Sequence, residues 1–315
     1  MENKIQLPQI LVLIGPTAIG KTALSLKLAQ HFDCEIISVD SMQVYRQMDI
    51  GTAKASIAER ALVPHHLIDV VNPDEAYDAA RFVEDATRLI DEIIKRGKLP
   101  LLTGGTGLYL KSLLDGIFPE APSDKDVRNN LKERLKEEGA DVLHKELTLC
   151  DRISADKIHQ NDTQRLLRAL EVYHTTGIPW STHLINQNKD KSTAGLQVDA
   201  LQVGLTCNRE KLYQRINMRT GLMIDSGLEE EVSGLLQNGF SSELKSMGSI
   251  GYRHMVGYLN NEYSRDEMIR LLARDTRRYA KRQYTWFNNI KEVQWVDVKK
   301  IASVVEMVEQ WRRDN

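Results

Sequence analysis

Short apolar runs alternate with helix-period segments over the first third of the chain. Ile10-Leu11-Val12-Leu13-Ile14, Glu35 to Val39 and Leu99 to Thr103 read as strands, while Lys21 to about Phe32 and Ala79 to Arg96 read as helices. This is the pattern of βαβ units on a parallel sheet. Strands that are apolar at every position are buried on both faces, so helices must cover both sides of the sheet. The prediction is a doubly wound α/β core. The character changes at Pro119, Pro122 and Ser123, which open a charged amphipathic helix running to Glu138, and helical pattern continues to about Thr176 without strand alternation. A polar segment, Asn186 to Gly195, then leads into Ala200 to Thr206, an apolar run of strand type. Residues 121–199 are therefore expected to be a helical insertion domain between two strands of a core formed by residues 1–120 and 200–315. Downstream, Leu212 to about Leu236 reads as one helix stopped by Gly239, and Ser264 to Phe287 as a long helix. Ser264 with Glu267 three residues on makes a capping-box pattern. Val293 to Val296 is the last expected strand and Ala302 to Arg313 the closing helix. There is no internal repeat.

Composition narrows this picture only a little. The 315 residues suffice for one large or two ordinary domains with a full core, and neither disorder nor a fibrous fold fits them. Cys34, Cys150 and Cys207 lie far apart and form no C-x-x-C pair, so nothing suggests zinc or a disulfide framework. A reducing, cytoplasmic setting is expected. The run Ile10 to Ile14 is too short to span a bilayer and lacks signal-peptide flanks, so no membrane partner is expected. A net charge of −2 gives no global argument for nucleic acid, and charge has to be read by segment. One segment stands out. Between Arg270 and Lys291, Arg274, Arg277, Arg278, Lys281 and Arg282 meet a single acid, Asp275, with Tyr279, Tyr284, Trp286 and Phe287 interleaved. Such a stripe suits phosphate contacts and base stacking on RNA, or is a solvated helix face whose aromatics pack inward.

The sharpest chemistry is Gly15-Pro16-Thr17-Ala18-Ile19-Gly20-Lys21-Thr22, which matches G-x-x-x-x-G-K-[ST] between a buried strand and a helix start. Loop amides and the helix N-terminus would face an anion together, Lys21 would add a point charge, and the Thr22 hydroxyl could hold Mg²⁺. The fold expected is thus a P-loop NTPase-like parallel sheet. The loop alone does not choose among an ATP-binding kinase, a GTPase and a diphosphate-consuming transferase. There is no N-K-x-D to read guanine. A small-molecule kinase, the main alternative, would want an acid at the end of a later strand for the metal, yet Leu99 to Thr103 runs into Gly104-Gly105-Thr106-Gly107. A non-catalytic RNA-binding module is the second alternative. Asp40 follows the run Ile36-Ile37-Ser38-Val39 and should emerge at the carboxyl edge of the sheet beside the loop, as a catalytic carboxylate or as a turn cap. Ser41, Gln43 and Tyr45 follow it. In the insertion, Gln164, Arg165 and Arg168 share an outward helix face while Leu166, Leu167 and Leu170 turn inward. His65 and His66 have no partners at ligand spacing and read as structural.

Taken together with that loop, Asp40-Ser41-Met42-Gln43-Val44-Tyr45, Met48-Asp49-Ile50-Gly51-Thr52-Ala53-Lys54, Gly104-Gly105-Thr106-Gly107-Leu108-Tyr109, Gly251-Tyr252-Arg253 and Ala280-Lys281-Arg282-Gln283-Tyr284-Thr285-Trp286-Phe287 resemble the bacterial tRNA dimethylallyltransferases over nearly the whole chain. The resemblance implies transfer of a dimethylallyl group from dimethylallyl diphosphate to N6 of adenosine 37 in tRNAs reading codons that begin with U, with diphosphate released and no ATP consumed. It implies that the phosphate loop holds the donor's diphosphate with Mg²⁺, that Asp40 is the general base, and that Thr22 and Arg219 act on the diphosphate, Arg215 being a close neighbour of the latter. It further implies tRNA contacts by Asp40, Ser41, Met42, Gln43, Thr106, Arg128, Gln164, Arg165, Leu166, Leu167, Arg168, Gly248, Ser249, Ile250, Gly251, Tyr252 and Arg253. The family's channel is entered by tRNA from one side and the donor from the other, with the insertion clamping the anticodon stem. A monomer is expected. Eukaryotic relatives append a zinc finger, a pattern these residues lack, in keeping with a bacterial form.

Overall fold

The structure, a computed structural model, describes residues 7–116, 124–189 and 195–314. Pro119, Pro122, Ser123 and most of the polar segment before Gly195 lie outside the described residues. Six parallel strands form one sheet: β1 (Gln9–Ile14), β2 (Cys34–Val39), β3 (His65–His66), β4 (Leu99–Gly104), β5 (Asp199–Thr206) and β6 (Gln294–Asp297). Their order is β3-β2-β4-β1-β5-β6. The central strand, β1, is buried from Ile10 to Ile14, and its alternating side chains divide between two cores. Ile10, Val12 and Ile14 enter one, Leu11 and Leu13 the other, because successive residues of a strand point to opposite faces. This is why the run had to be continuously apolar.

Helices α1 (Lys21–Phe32), α2 (Ile57–Leu62), α3 (Ala79–Lys95) and α4 (Gly107–Asp115) belong to the first half of the core. In α3 the buried stripe Phe82, Ala86, Leu89, Ile90 and Ile93 has helical spacing, and Asp78 caps its start by accepting from the Arg81 N–H at 3.0 Å. The chain divides into two compact units, Met1–Leu114 with Leu196–Asn315, and Asp115–Gly195. The second unit holds α5 (Lys125–Glu137), α6 (Ala140–Cys150), α7 (Arg152–Ala155), α8 (Thr163–Thr176) and α9 (Trp180–Lys189), packed on their own apolar cluster that includes Leu131, Leu143, Leu147 and Leu170.

The core resumes with α10 (Arg209–Asp225), α11 (Leu228–Gln237), α12 (Tyr252–Leu259), α13 (Arg265–Phe287) and α14 (Ala302–Asp314). The single helix expected from Leu212 to Leu236 is two. Gly227 adopts φ +97°, a left-handed conformation that ends one helix and starts the next. The capping box at Ser264 is half formed: its hydroxyl accepts from the Glu267 N–H at 3.3 Å, but the Glu267 carboxylate takes both its short bonds from Arg270 instead. His65 and His66 form the edge strand β3, where His66 Nε2 lies 2.7 Å from the buried Glu35 carboxylate. Among the described residues no helix is long and apolar enough to cross a membrane, and no cluster of three metal-ligating side chains occurs.

Candidate active site

In a parallel sheet every strand ends at the same edge, and ligands bind outside it where the strand order reverses. Here the loops after β1, β2 and β4 meet at that edge. The loop after β1 runs from Gly15 into α1, with Gly20 at the helix N-cap in a left-handed conformation, φ +107°, that favours glycine. Lys21 donates from Nζ to the carbonyls of Gly15 and Pro16 at 2.9 and 3.0 Å. Burial, with Arg219 nearby, pushes its pKa down from 10.5 to about 8, and Asp40 opposes the shift. Ile19 is an exception among the loop residues: its side chain is buried in the core, so only its backbone belongs to the cradle.

Asp40 stands immediately past β2. Its Oδ1 accepts from the Met42 and Gln43 N–H groups at 2.9 and 3.4 Å, so Asp40 caps the turn with one carboxylate oxygen. Burial raises its pKa, against the opposing pull of those two amides, Lys21 and Arg219. Oδ2 has no donor among the described residues, which leaves an oxygen able to take a proton. Two cavities, of about 230 and 280 Å³, share a wall made of Thr17, Asp40, Thr52, Arg219 and Tyr279. The first contains the polar floor of the phosphate loop: Lys21, Thr22, Ser25, Ser38 and Thr103. The second is lined by Met42, Ile216 and Met223 together with Ser249, Ile250 and Arg253. Asp40 therefore touches both chambers.

The two neighbouring arginines of α10 part company. Arg219 reaches Thr17 Oγ1 at 3.3 Å and lines both cavities, whereas Arg215 is spent on the Ile19 carbonyl at 2.7 Å. Three contributors were missed by reading the chain. Gln283 on α13 accepts from the Thr17 N–H at 2.8 Å and donates to the Gly105 carbonyl at 3.0 Å, joining the loops after β1 and β4. Tyr279, read only as part of an aromatic-basic stripe, lines both cavities. His65, placed by β3, lines the first. The only signal for any of them is one turn spacing, Tyr279 to Gln283, on a long helix.

The remaining predicted residues fall into three groups. Ser41, Met42, Ser249, Ile250 and Arg253 line the second cavity, Gln43 the first. Thr106 supports them, its Oγ1 accepting from the Ser41 N–H at 3.0 Å. Gly248 offers its carbonyl to Arg253, and Gly251 caps α12, where the side chain of Tyr252 is fully buried. In the insertion, Gln164 and Arg165 are exposed, while Arg128 and Arg168 both lie against the Glu171 carboxylate, at 3.0 and 3.2 Å. Leu166 and Leu167 need correcting: they are buried in the insertion's own core, so their side chains pack and do not present a surface to RNA. The basic stripe of α13 is part exposed and part engaged within the fold. Arg278, Lys281 and Arg282 are exposed, but Phe287 is buried and Arg274 is held by Asp275 at 2.8 Å.

Comparison with known proteins gives a consistent result. The IPP transferase family model matches residues 43–290, and the isopentenyl transferase model matches residues 8–66. A tRNA dimethylallyltransferase of Desulfotalea psychrophila is 55% identical over 312 residues, 99% of this chain and 98% of its own. Among solved structures, the full-length tRNA isopentenylpyrophosphate transferase of Bacillus halodurans aligns with a TM-score of 0.71 at 39% identity over 97% of both chains. A eukaryotic dimethylallyltransferase described as acting on tRNA aligns with a TM-score of 0.76 at 31% identity, over 92% of this chain and 74% of that one.

Proposed function

The chain belongs to the IPP transferase family and is a tRNA-prenylating enzyme, and from that premise we propose that it joins the dimethylallyl group of dimethylallyl diphosphate to N6 of adenosine 37, with Asp40 as general base. The observation that carries the assignment is the shared wall of the two cavities. A phosphate-binding chamber and a second chamber meet at one carboxylate, as a reaction between two separately bound substrates requires.

The exocyclic amine of adenine is a weak nucleophile because its lone pair is delocalised into the ring. In the reaction N6 forms a bond to the allylic carbon, the bond from that carbon to the diphosphate oxygen breaks, and the N6 proton passes to Asp40 Oδ2. General-base assistance of this kind contributes about 10²–10⁴-fold. The departing diphosphate gathers charge against fixed donors, the loop amides, Lys21 and Arg219, which are in place before the bond breaks. Adenosine 37 has to leave the anticodon-loop stack to reach the site, at a cost of about a few kcal/mol.

The polar floor also fits Mg²⁺. Thr22 and Ser25 supply hydroxyls beside the Asp40 carboxylate, and the Thr103 Oγ1 is a buried oxygen without a hydrogen-bond partner among the described residues. All are hard oxygen donors, as this ion prefers, with substrate phosphates as its other ligands. When bound, the ion would neutralise charge on the leaving diphosphate. The kinase alternative is not favoured: Thr103 stands where a kinase would place its metal-binding acid.

Purified protein given Mg²⁺, unmodified tRNA and labelled dimethylallyl diphosphate is expected to label the tRNA without ATP. Transfer of the γ-phosphate of ATP to an acceptor, with no label from the prenyl donor, overturns the reading. In the same assay D40N is expected to lose about 10²–10⁴-fold in turnover, with tRNA affinity nearly unchanged. Wild-type turnover in D40N removes Asp40 as the base.

A further inference from the structure

We infer that Glu231 is a positioning residue for this reaction, a carboxylate outside the second cavity that ties together two segments lining it. Glu231 is the third of three successive acids at the start of α11, and such a run reads as ordinary compensation of a helix dipole. Its contacts say otherwise. Oε2 accepts from the Asp49 and Ile50 N–H groups at 2.9 and 2.7 Å, and Oε1 accepts from the Gly51 N–H at 3.1 Å and from the Tyr252 hydroxyl at 2.6 Å. Three consecutive amides and a phenol thus converge on one carboxylate. Hydrogen bonds to an ionised acceptor are about twice as strong as neutral ones.

The two elements so joined both contribute to the lining of the cavity. Gly51 and Thr52 come from one, and Ser249, Ile250 and Arg253, which flank Tyr252, from the other. The ring of Tyr252 lies against Gly51 so closely that a Cβ there would sit 2.4 Å from it, so the glycine is required by close approach. From the loop the constraint passes inward. The carbonyls of Thr52 and Ala53 accept from Gln43 Nε2 at 3.3 and 3.4 Å, and the Gln43 N–H donates to Asp40 Oδ1. Glu231 lines neither cavity, yet it sets the loop whose far end reaches the base.

The inference rests on taking the second cavity as the acceptor's chamber, and its test separates the two ideas. Full-length wild type, E231Q, E231A and Y252F are compared in four measurements: steady-state transfer with tRNA varied, tRNA affinity, affinity for inorganic diphosphate, and amide hydrogen exchange of residues 49–53. E231A is expected to lose about 10²-fold in kcat/KM for tRNA, mostly in kcat, because displacement of this order misaligns reacting groups. Its diphosphate affinity should stay within about twofold, since the phosphate loop makes no contact with Glu231. The amides of Asp49, Ile50 and Gly51 should exchange faster, with E231Q intermediate and Y252F mildest. If E231A does not fold, folded E231Q carries the test. Wild-type exchange and kcat in a folded variant overturn the inference, as does loss of diphosphate affinity in step with activity. If the wild type itself fails to prenylate tRNA, the proposed reaction falls, and exchange together with tRNA affinity still decides the clamp.

Discussion

Lys21 is charged below about pH 8 in the free protein and loses its proton above it, because burial and Arg219 destabilise the cation more than Asp40 supports it. Bound diphosphate needs that charge. Affinity for inorganic diphosphate, measured by calorimetry and compared at each pH with a variant whose cation does not titrate, is therefore expected to show an added fall above about pH 8. In K21R, whose guanidinium stays charged, binding is weaker throughout and that fall disappears. The stability consequence has the opposite sign. An unfolded Lys21 keeps its proton up to about 10.5, so between about 8 and 10.5 the unfolded state binds more protons and folding stability rises with pH from this group. At this scale the chain was easy to read for the phosphate loop, whose eight residues are contiguous. Asp40 was legible as a position and undecided as a role, since a carboxylate after a strand serves equally to cap a turn; the structure shows the cap, through two amide contacts, and places the same side chain between the two cavities.

Among the elements, α13 does the most to assemble the site. One side chain on it, Gln283, is buried and pairs with the backbone of both phosphate-side loops. Q283A leaves the Thr17 N–H and the Gly105 carbonyl without a partner, and an unsatisfied buried group costs about 1–3 kcal/mol. Urea denaturation should show a loss of that order, and diphosphate affinity should fall with it; unchanged values in both would mean that the loops hold themselves. The long, strongly periodic elements of the core were predictable, as α1 and α3 show. The short ones were not: β3 is two residues that exist as a strand only by pairing with β2, while α2 is six residues with none buried, opened by a local capping box of Ser56 and Glu59 that the apolar pattern does not mark. The split of α10 from α11 was hidden for a different reason. A lone Gly227 in an amphipathic run is compatible with a continuous helix, and nothing local signals that it will turn left-handed.

For the whole molecule, a net charge of −2 supplies no general attraction for RNA, so tRNA must be held by local cations. Arg282 lines the second cavity and stacks over the Tyr279 ring at 5.6 Å, and Arg278 is exposed on the same helix. Removing a cation that neutralises one phosphate lowers the slope of log affinity against log salt by about 0.7–0.9. The double variant R278Q/R282Q is accordingly expected to bind tRNA more weakly at low salt and to show a slope shallower by about 1–2, measured by filter binding across a salt series. A parallel shift with no change of slope would place the phosphates elsewhere.

What the amino-acid order determined by itself is whatever rests on local pattern: buried parallel strands, a phosphate cradle between a strand and a helix, and a helical stretch set into the sheet. Each follows from spacing within a few residues, where hydrophobic period and glycine placement act directly. The tertiary structure alone decided which groups share a cavity. Arg219 and Arg215 differ by one helical turn, and the fold sends one to the site and the other to a loop carbonyl. Gln283 reaches Thr17 across 266 residues and Glu231 reaches Asp49 across 182, separations over which no sequence period carries information. Such contacts exist only once sheet order and helix packing have brought the loops together.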